Sequence, residues 1–175
     1  LIVYQAAEDA TRARAAAAED VPRRPNQILC VSVMGPHKNA ETLVRALREV
    51  RAACPEAHLV FAGSWPDPAY ERKIRRLVAA LDLGTAVEFA GFVERERLDR
   101  LYAESCVFCL MSRCESFGIP AIEAQLFGTP VVSSTVCAIP EICGAGGLFR
   151  APDDVAGVAA ALRRLLADDL EWRRL

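Results

Sequence analysis

Two glutamates with seven residues between them flank a glycine turn in the second half of the chain. Glu115 and Glu123 lie in the stretch 112–134, SRCESFGIPAIEAQLFGTPVVSS, whose pattern predicts a strand end, a loop, a helix, a turn and another strand. Residues just before a helix present unpaired backbone N–H groups, and Gly118 lacks the side chain that would keep a phosphate away from them. We therefore predict an anion pocket at this turn, bracketed by the two carboxylates.

The helix after the turn has an apolar stripe. Ile119, Ile122 and Leu126 recur at spacings of three and four, which predicts that they pack on a sheet. Glu123 lies beside this stripe, where a charge is costly unless a ligand uses it. The alternative is that Glu115 is an ordinary surface-loop acid and Glu123 a solvated helix residue. Because both flank the same glycine turn, we favour the site.

A second polar loop follows the first predicted strand. It reads GPHKN, residues 35–39, in which Lys38 offers a cation and Asn39 is expected to cap the next helix. Together with the backbone donors of residues 116–119, Lys38 would hold a diphosphate from two sides, and His37 would add a donor. The alternative for Lys38 is a solvated loop lysine, as most lysines are.

Short β-rich runs alternate with helical runs from Ile28 onward. The predicted helices cover residues 39–54, 70–81, 94–104, the stretch after Gly118 and 152–167, and residues 140–147 are turn-rich. The predicted strands cover residues 28–34, 58–63, 87–92, 107–111, 130–133 and 148–150.

This alternation predicts an α/β fold: a Rossmann-like, doubly wound parallel sheet of about six strands in a three-layer αβα arrangement. The usual strand order of such a sheet is 3-2-1-4-5-6, which makes strands one and four neighbours where the winding reverses. Ligands bind there, at the carboxyl ends of the strands. The two polar loops should therefore face each other.

The chain divides into two unequal parts. Residues 28–175 are predicted to form one domain. Residues 1–27 are interpreted as a linker or peripheral helical segment, because their helix-prone middle has almost no large apolar residue to bury.

Composition excludes several classes of function. The 21 basic and 23 acidic residues leave a formal charge of −2, which gives no electrostatic basis for binding nucleic acid or an anionic membrane. No segment is long enough to span a membrane and no signal peptide is recognisable. We expect a cytoplasmic protein with no indicated membrane association.

Signatures of other sites are missing. The chain has no P-loop, no G-x-G-x-x-G after the first strand and no G-x-S-x-G, and His58 opens a buried strand, where a structural role is expected. Cys106, Cys109 and Cys114 lie close together, but the first two should face opposite sides of a strand. The odd count of seven cysteines favours reduced, buried thiols and no metal site.

The motifs GPHKN, FAG, EFAGFV and ESFGIPAIEAQLFGTPVV, each following a predicted strand, resemble the C-terminal domain of the family 4 retaining glycosyltransferases, which have the GT-B fold. In that family this domain binds the nucleotide of a sugar donor. The resemblance implies the donor-binding half of an enzyme that transfers a sugar from a UDP- or GDP-linked donor to a glycan or lipid acceptor. The acceptor site would lie on an N-terminal domain that is missing here, and this chain alone would be inactive.

The resemblance also implies roles for individual residues. Glu115 and Lys38 would be catalytic, Glu115 binding hydroxyls of the transferred sugar and Lys38 the diphosphate, while Glu123 would accept hydrogen bonds from the ribose. No metal or cofactor is implied, and the nucleotide sugar is the donor substrate. The remaining donor-binding residues would be Ser116, Phe117, Gly118, Ile119, His37, Gly63, Ser64, Val93 and Leu98.

The chain departs from the family at a few positions. Val33 stands where many members carry an arginine five residues before the lysine, and His37 would compensate in part. Ser116 replaces the usual glycine after the first glutamate. Two alternatives stay open: a nucleotide-binding or protein-interaction module of the same fold without catalysis, and a sugar-nucleotide epimerase.

Overall fold

The structure, a computed structural model, describes residues 9–167. Six strands form one parallel sheet in the order β3-β2-β1-β4-β5-β6, so the predicted order is confirmed. The fold is α/β, a Rossmann-like doubly wound sheet. The strands are β1 (Gln27–Val31), β2 (His58–Ala62), β3 (Val87–Gly91), β4 (Val107–Leu110), β5 (Val131–Ser134) and β6 (Gly147–Arg150).

Helices cover both faces of the sheet. Helices α2, α3 and α7 pack together on one face, α4, α5 and α6 lie on the other, and α1 packs on α4 and α5. The central strands are buried on both sides, which explains why their sequences read as continuous apolar runs rather than alternating ones. The helices are α1 (Asp9–Ala17), α2 (Ala40–Arg51), α3 (Pro68–Ala80), α4 (Arg95–Glu104), α5 (Ile119–Leu126), α6 (Ile139–Cys143) and α7 (Val155–Ala167).

Strand β1 ends at Val31, three residues earlier than predicted. The chain nevertheless keeps running beside β2, because Ser32 N–H donates to Ala62 O at 3.1 Å and Met34 N–H donates to Ser64 O at 2.8 Å. A Cβ on Gly63 would lie 1.9 Å from Ser32 O. Only glycine therefore permits this close approach beyond the end of the strand.

The region predicted to be turn-rich, residues 140–147, contains all of α6 except Ile139, together with a 3-10 turn, Gly144–Gly146. Pro140 lies in the first turn of α6, where the missing N–H of proline costs no hydrogen bond. The prediction was wrong here because a proline that starts a helix resembles a turn proline in sequence.

The predicted apolar stripe of α5 is also wrong. Ile119 is 43% exposed, and the buried positions of the helix are Ala121 and Ala124. Small side chains let the short helix approach β4 and β5 closely, so the larger Ile122 and Leu126 lie at its sides, half-buried.

The segment before the sheet is attached to the domain. Thr11 and Ala15 of α1 are buried, and Arg23 donates to Phe127 O at 3.0 Å and to Gly128 O at 2.9 Å at the end of α5. Of the segment 1–27, residues 1–8 lie outside the described residues. The boundary at residue 28 stays a prediction.

All seven cysteines are free thiols. Cys30, Cys109 and Cys143 are buried, but Cys114 and Cys137 are exposed, so the expectation of uniformly buried thiols was wrong for these two. Between residues 9 and 167, no three His, Cys, Asp or Glu side chains are grouped so that they would hold a metal ion. Over the same residues, no helix has both the length and the apolar character needed to cross a membrane.

Candidate active site

The two polar loops meet at the carboxyl edge of the sheet. Strands β1 and β4 pair in parallel through Ile28 and Val107, and the loops that follow them are joined by a backbone hydrogen bond from Arg113 N–H to His37 O at 2.8 Å. The juxtaposition predicted from the strand order is therefore present.

Lys38 and Glu115 form an ion pair across this junction. Lys38 Nζ lies 2.7 Å from Glu115 Oε2, and the two side chains are only 13% and 10% exposed. The hydroxyl of Ser112 donates to the same carboxylate oxygen at 3.0 Å. Glu115 Oε1 accepts no hydrogen bond from the described part of the chain, so one oxygen of the carboxylate remains available to a ligand.

Lys38 is held by a single tight turn. The 3-10 turn Pro36–Lys38 closes with a bond from Lys38 N–H to Gly35 O at 2.8 Å. Asn39 follows in the left-handed region (φ 55°), and its buried amide donates to Pro152 O at 2.7 Å. This bond ties the lysine loop to the start of α7.

Asn39 occupies the N-cap position of α2, as predicted, but its side chain makes no capping hydrogen bond. Its side-chain oxygen accepts from the Thr42 hydroxyl at 3.1 Å rather than from a backbone N–H. The Tyr70 hydroxyl takes that place: it accepts from Ala40 N–H at 3.0 Å and donates to Glu41 at 2.6 Å. An aromatic residue on α3 thus satisfies the start of α2, which local sequence does not reveal.

The glycine turn leaves backbone donors free at the start of α5. Gly118 has φ 82°, a conformation that other residues rarely adopt. Within residues 9–167, the N–H groups of Phe117, Gly118 and Ile119 have no hydrogen-bond acceptor. Three free donors therefore lie at the start of α5, next to the positive end of the helix dipole, an arrangement that suits an anion.

Glu123 belongs to a separate network. Its Oε1 accepts from Arg95 Nη2 at 2.7 Å, and its Oε2 accepts from the Tyr102 hydroxyl at 3.0 Å. Burial and the neighbouring Glu123 raise the pKa of Tyr102 well above its usual value, so the phenol stays protonated and acts as the donor. Both partners come from α4, and sequence analysis missed them because spacing does not reveal which face of α4 meets α5.

The remaining predicted residues are spread along the same edge. The carbonyl of Ser64 accepts from Met34 N–H at 2.8 Å, which holds Gly63 and Ser64 beside the loop after β1. The exposed imidazole of His37 lies close to Gly35. Val93 and Leu98 pack half-buried against the core after β3, and no contact described for residues 9–167 joins them to Lys38 or Glu115.

Three large apolar side chains are exposed near this edge. Val33 is 62% and Phe92 77% exposed, and each follows the end of a strand, while Ile119 opens α5. Val33 occupies the position five residues before Lys38 where the resemblance implies an arginine, and it adds no charge.

Comparison with known proteins gives one family. The sequence profile described as "Glycosyl transferases group 1" matches residues 11–175. The O-antigen chain mannosyltransferase B of Escherichia coli is 33% identical over 156 residues, which are 84% of this chain and 38% of that protein.

Two further similarities support the match. A GDP-mannose-dependent monoacylated alpha-(1-6)-phosphatidylinositol monomannoside mannosyltransferase of Corynebacterium glutamicum is 33% identical over 151 residues, 82% of this chain and 38% of that protein. The structure of sucrose-phosphate synthase from Thermosynechococcus elongatus superposes with a TM-score of 0.78 at 34% identity, covering 93% of this chain and 41% of that one. The chain spans less than half the length of these relatives.

Proposed function

The chain belongs to the glycosyl transferases group 1 family, and we propose that it is the donor-binding half of a retaining enzyme that takes its sugar from a nucleoside diphosphate sugar. The observation that carries this proposal is the pairing of Lys38 with Glu115 beside three unpaired backbone donors.

These groups suit a sugar diphosphate. The diphosphate is an anion with several acceptor oxygens, and it would receive hydrogen bonds from the N–H groups of Phe117, Gly118 and Ile119 on one side and from Lys38 on the other. The ammonium group of Lys38 is mostly shielded from water, so its attraction to a phosphate is screened less than at an exposed site. We propose no metal or cofactor for this site.

Glu115 would bind the transferred sugar. Its free Oε1 would accept a hydrogen bond from a sugar hydroxyl while Oε2 stays on Lys38 and Ser112. In the reaction, the bond from the anomeric carbon to the diphosphate oxygen breaks and a bond to the acceptor oxygen forms, with loss of the acceptor proton. Lys38 and the amides would stabilise the charge that grows on the departing diphosphate.

The relatives suggest which donor to test first. One is GDP-mannose-dependent and another is a mannosyltransferase, so we propose GDP-mannose as the first donor and UDP-sugars as the second. The acceptor site would lie on an N-terminal domain of a longer protein. Free thiols at all seven cysteines support a cytoplasmic location.

A second candidate function is a nucleotide-binding or protein-interaction module without transferase activity. The observation in its favour is Val33, which leaves the site without a second cation at that position and exposes apolar surface. Binding of a nucleoside diphosphate separates the proposed function from a protein-interaction module.

Calorimetric titration of GDP and UDP into the chain tests the proposal. Binding should be lost or weakened at least about tenfold in Lys38→Ala. Lys73→Ala is the matched control, because Lys73 is the only other lysine and pairs with Glu41 on the α2 side of the sheet. Absence of binding to either nucleotide at millimolar concentration would favour the module instead.

A further inference from the structure

Three residues of α4 point toward α5 and α1. Arg95, Asp99 and Tyr102 are spaced four and three apart, so they lie on one face of the helix. Two of them hold the carboxylate of Glu123, Arg95 at Oε1 and Tyr102 at Oε2, with distances of 2.7 and 3.0 Å. Each carboxylate oxygen therefore has one donor from the protein.

The Tyr102 donor is fixed by packing. Its ring is buried and stacks on Phe127 with a centroid distance of 5.6 Å and an interplanar angle of 21°. The hydroxyl therefore cannot move to another acceptor without unpacking the layer between α4 and α5.

The guanidinium group of Arg95 is held in place by an ion pair with Asp99. Its Nε lies 3.2 Å from Asp99 Oδ1, and the other oxygen of Asp99 lies 2.9 Å from Arg14 Nε on α1. Arg14 and Arg95 also both donate to the buried hydroxyl of Thr11, at 2.9 and 3.4 Å. Positive and negative side chains thus alternate from Arg14 on α1, through Asp99 and Arg95 on α4, to Glu123 on α5.

We propose that Arg95 is a positioning residue for the nucleotide, which orients the Glu123 carboxylate toward the ribose hydroxyls and is itself linked to Arg14 of α1 through Asp99. This proposal rests on the proposed function, because it takes Glu123 as the acceptor for the ribose. Each carboxylate oxygen has two lone pairs, and the protein uses one on each oxygen. One acceptor site on each oxygen remains, which matches the two adjacent hydroxyl groups of a ribose. A carboxylate held in place before binding loses less side-chain entropy when the diol arrives.

If Arg95 instead blocked Glu123, its removal would change the affinity for the nucleotide in the opposite direction. A blocking residue would have to leave the carboxylate before the ribose binds, and its removal would tighten binding. The second contact of Arg95, with Asp99, also holds its guanidinium beside Glu123.

The test uses ligands with and without the ribose diol. GDP and UDP are titrated calorimetrically at up to millimolar concentration, next to their 2′,3′-dideoxy counterparts, against the wild-type chain and Arg95→Ala. We expect Arg95→Ala to weaken binding of the ribonucleotides about five- to tenfold and to leave binding of the dideoxynucleotides unchanged. Arg95→Lys should recover part of the loss, because it keeps the charge without the guanidinium fork.

Two arginines serve as matched controls. Arg97 lies on the same helix with 42% of its side chain exposed, against 41% for Arg95, and its contact with Glu104 is long at 3.9 Å. Arg97→Ala should change neither ligand's affinity. Arg14→Ala should give a smaller loss, about two- to threefold, that also depends on the diol, whereas Arg12→Ala on the exposed side of α1 should give none.

The outcomes separate the two proposals. An equal loss for ribonucleotides and dideoxynucleotides, or tighter binding by Arg95→Ala, would overturn the positioning role while leaving the proposed function standing. No effect of Arg14→Ala would overturn the link to α1. Failure of the wild-type chain to bind any of the four nucleotides would overturn the proposed function and this inference with it. Thermal unfolding of each variant shows whether the fold is retained.

Discussion

Lys38 Nζ lies 2.7 Å from Glu115 Oε2, although the two residues are 77 positions apart in the chain. Their meeting follows from the sheet: β1 and β4 are neighbours, and the two loops leave the same edge. The pair is shielded from water, and its members have different proposed ligands.

The first prediction concerns the coupling of this pair. Glu115→Ala should destabilise the fold by about 1 to 3 kcal/mol, because it leaves a largely buried ammonium group without its partner. The double variant, Glu115→Ala with Lys38→Ala, should lose less stability than the sum of the losses in the two single variants. Chemical denaturation measures all three losses. Strict additivity would show that the two side chains do not interact in solution.

The second prediction concerns the glycine turn. In Gly118→Ala the residue must hold φ 82°, which should cost about 1 to 2 kcal/mol of stability and weaken nucleotide binding. Gly84→Ala is the control, since a Cβ there meets nothing within 4 Å, and it should change neither property. Equal behaviour of the two variants in denaturation and calorimetry would argue against the turn as an anion site.

The third prediction concerns the anchoring of the segment before the sheet. Arg23 donates to the carbonyls of Ser105, Phe127 and Gly128, so Arg23→Ala should lower the free energy of unfolding by about 2 kcal/mol. Arg12→Ala removes an exposed side chain from the same segment and should cost at most about 0.5 kcal/mol. Similar losses for both would mean that this segment is not held through Arg23.

The fourth prediction concerns pH. Burial and Glu123 raise the pKa of Tyr102 above its ordinary value of 10, so the folded state keeps a proton that the unfolded state loses. This contribution to stability is fully present below pH 10 and declines as the pH rises further.

Removing the hydroxyl should remove that contribution. Between pH 9 and about 12, the free energy of unfolding of Tyr102→Phe should fall less steeply than that of the wild type. Tyr70 and the buried thiols of Cys30 and Cys109 also have raised pKa values. Their effect on the free energy of unfolding is the same in the wild type and in Tyr102→Phe, so it does not affect the comparison. Parallel curves would contradict the assignment of a protonated Tyr102 donor.

The sequence was sufficient to predict the strand order, because that order follows from hydrophobic periodicity and from the right-handed connections between parallel strands. Alternating apolar runs and helical stripes predicted the six-stranded order, and that order placed the loop of Lys38 beside the loop of Glu115. The helix predicted after Gly118 is present as α5.

The sequence was insufficient to predict side-chain contacts that depend on how two neighbouring elements face each other. The partners of Glu123, Arg95 and Tyr102, sit on a helix whose rotation about its axis is set by packing. The burial of α5 was misjudged for a related reason: close packing favoured Ala121 and Ala124 over the larger residues. The cap on α2 came from Tyr70 on α3, a contact between separate elements.

A crystal structure of this chain soaked with GDP or UDP tests the central claim most directly. We predict that the diphosphate lies at the start of α5, with phosphate oxygens within hydrogen-bond distance of Lys38 Nζ and of the N–H groups of Phe117, Gly118 and Ile119. A nucleotide bound elsewhere on the chain, with Lys38 still paired only to Glu115 and the three amides unoccupied, would contradict it.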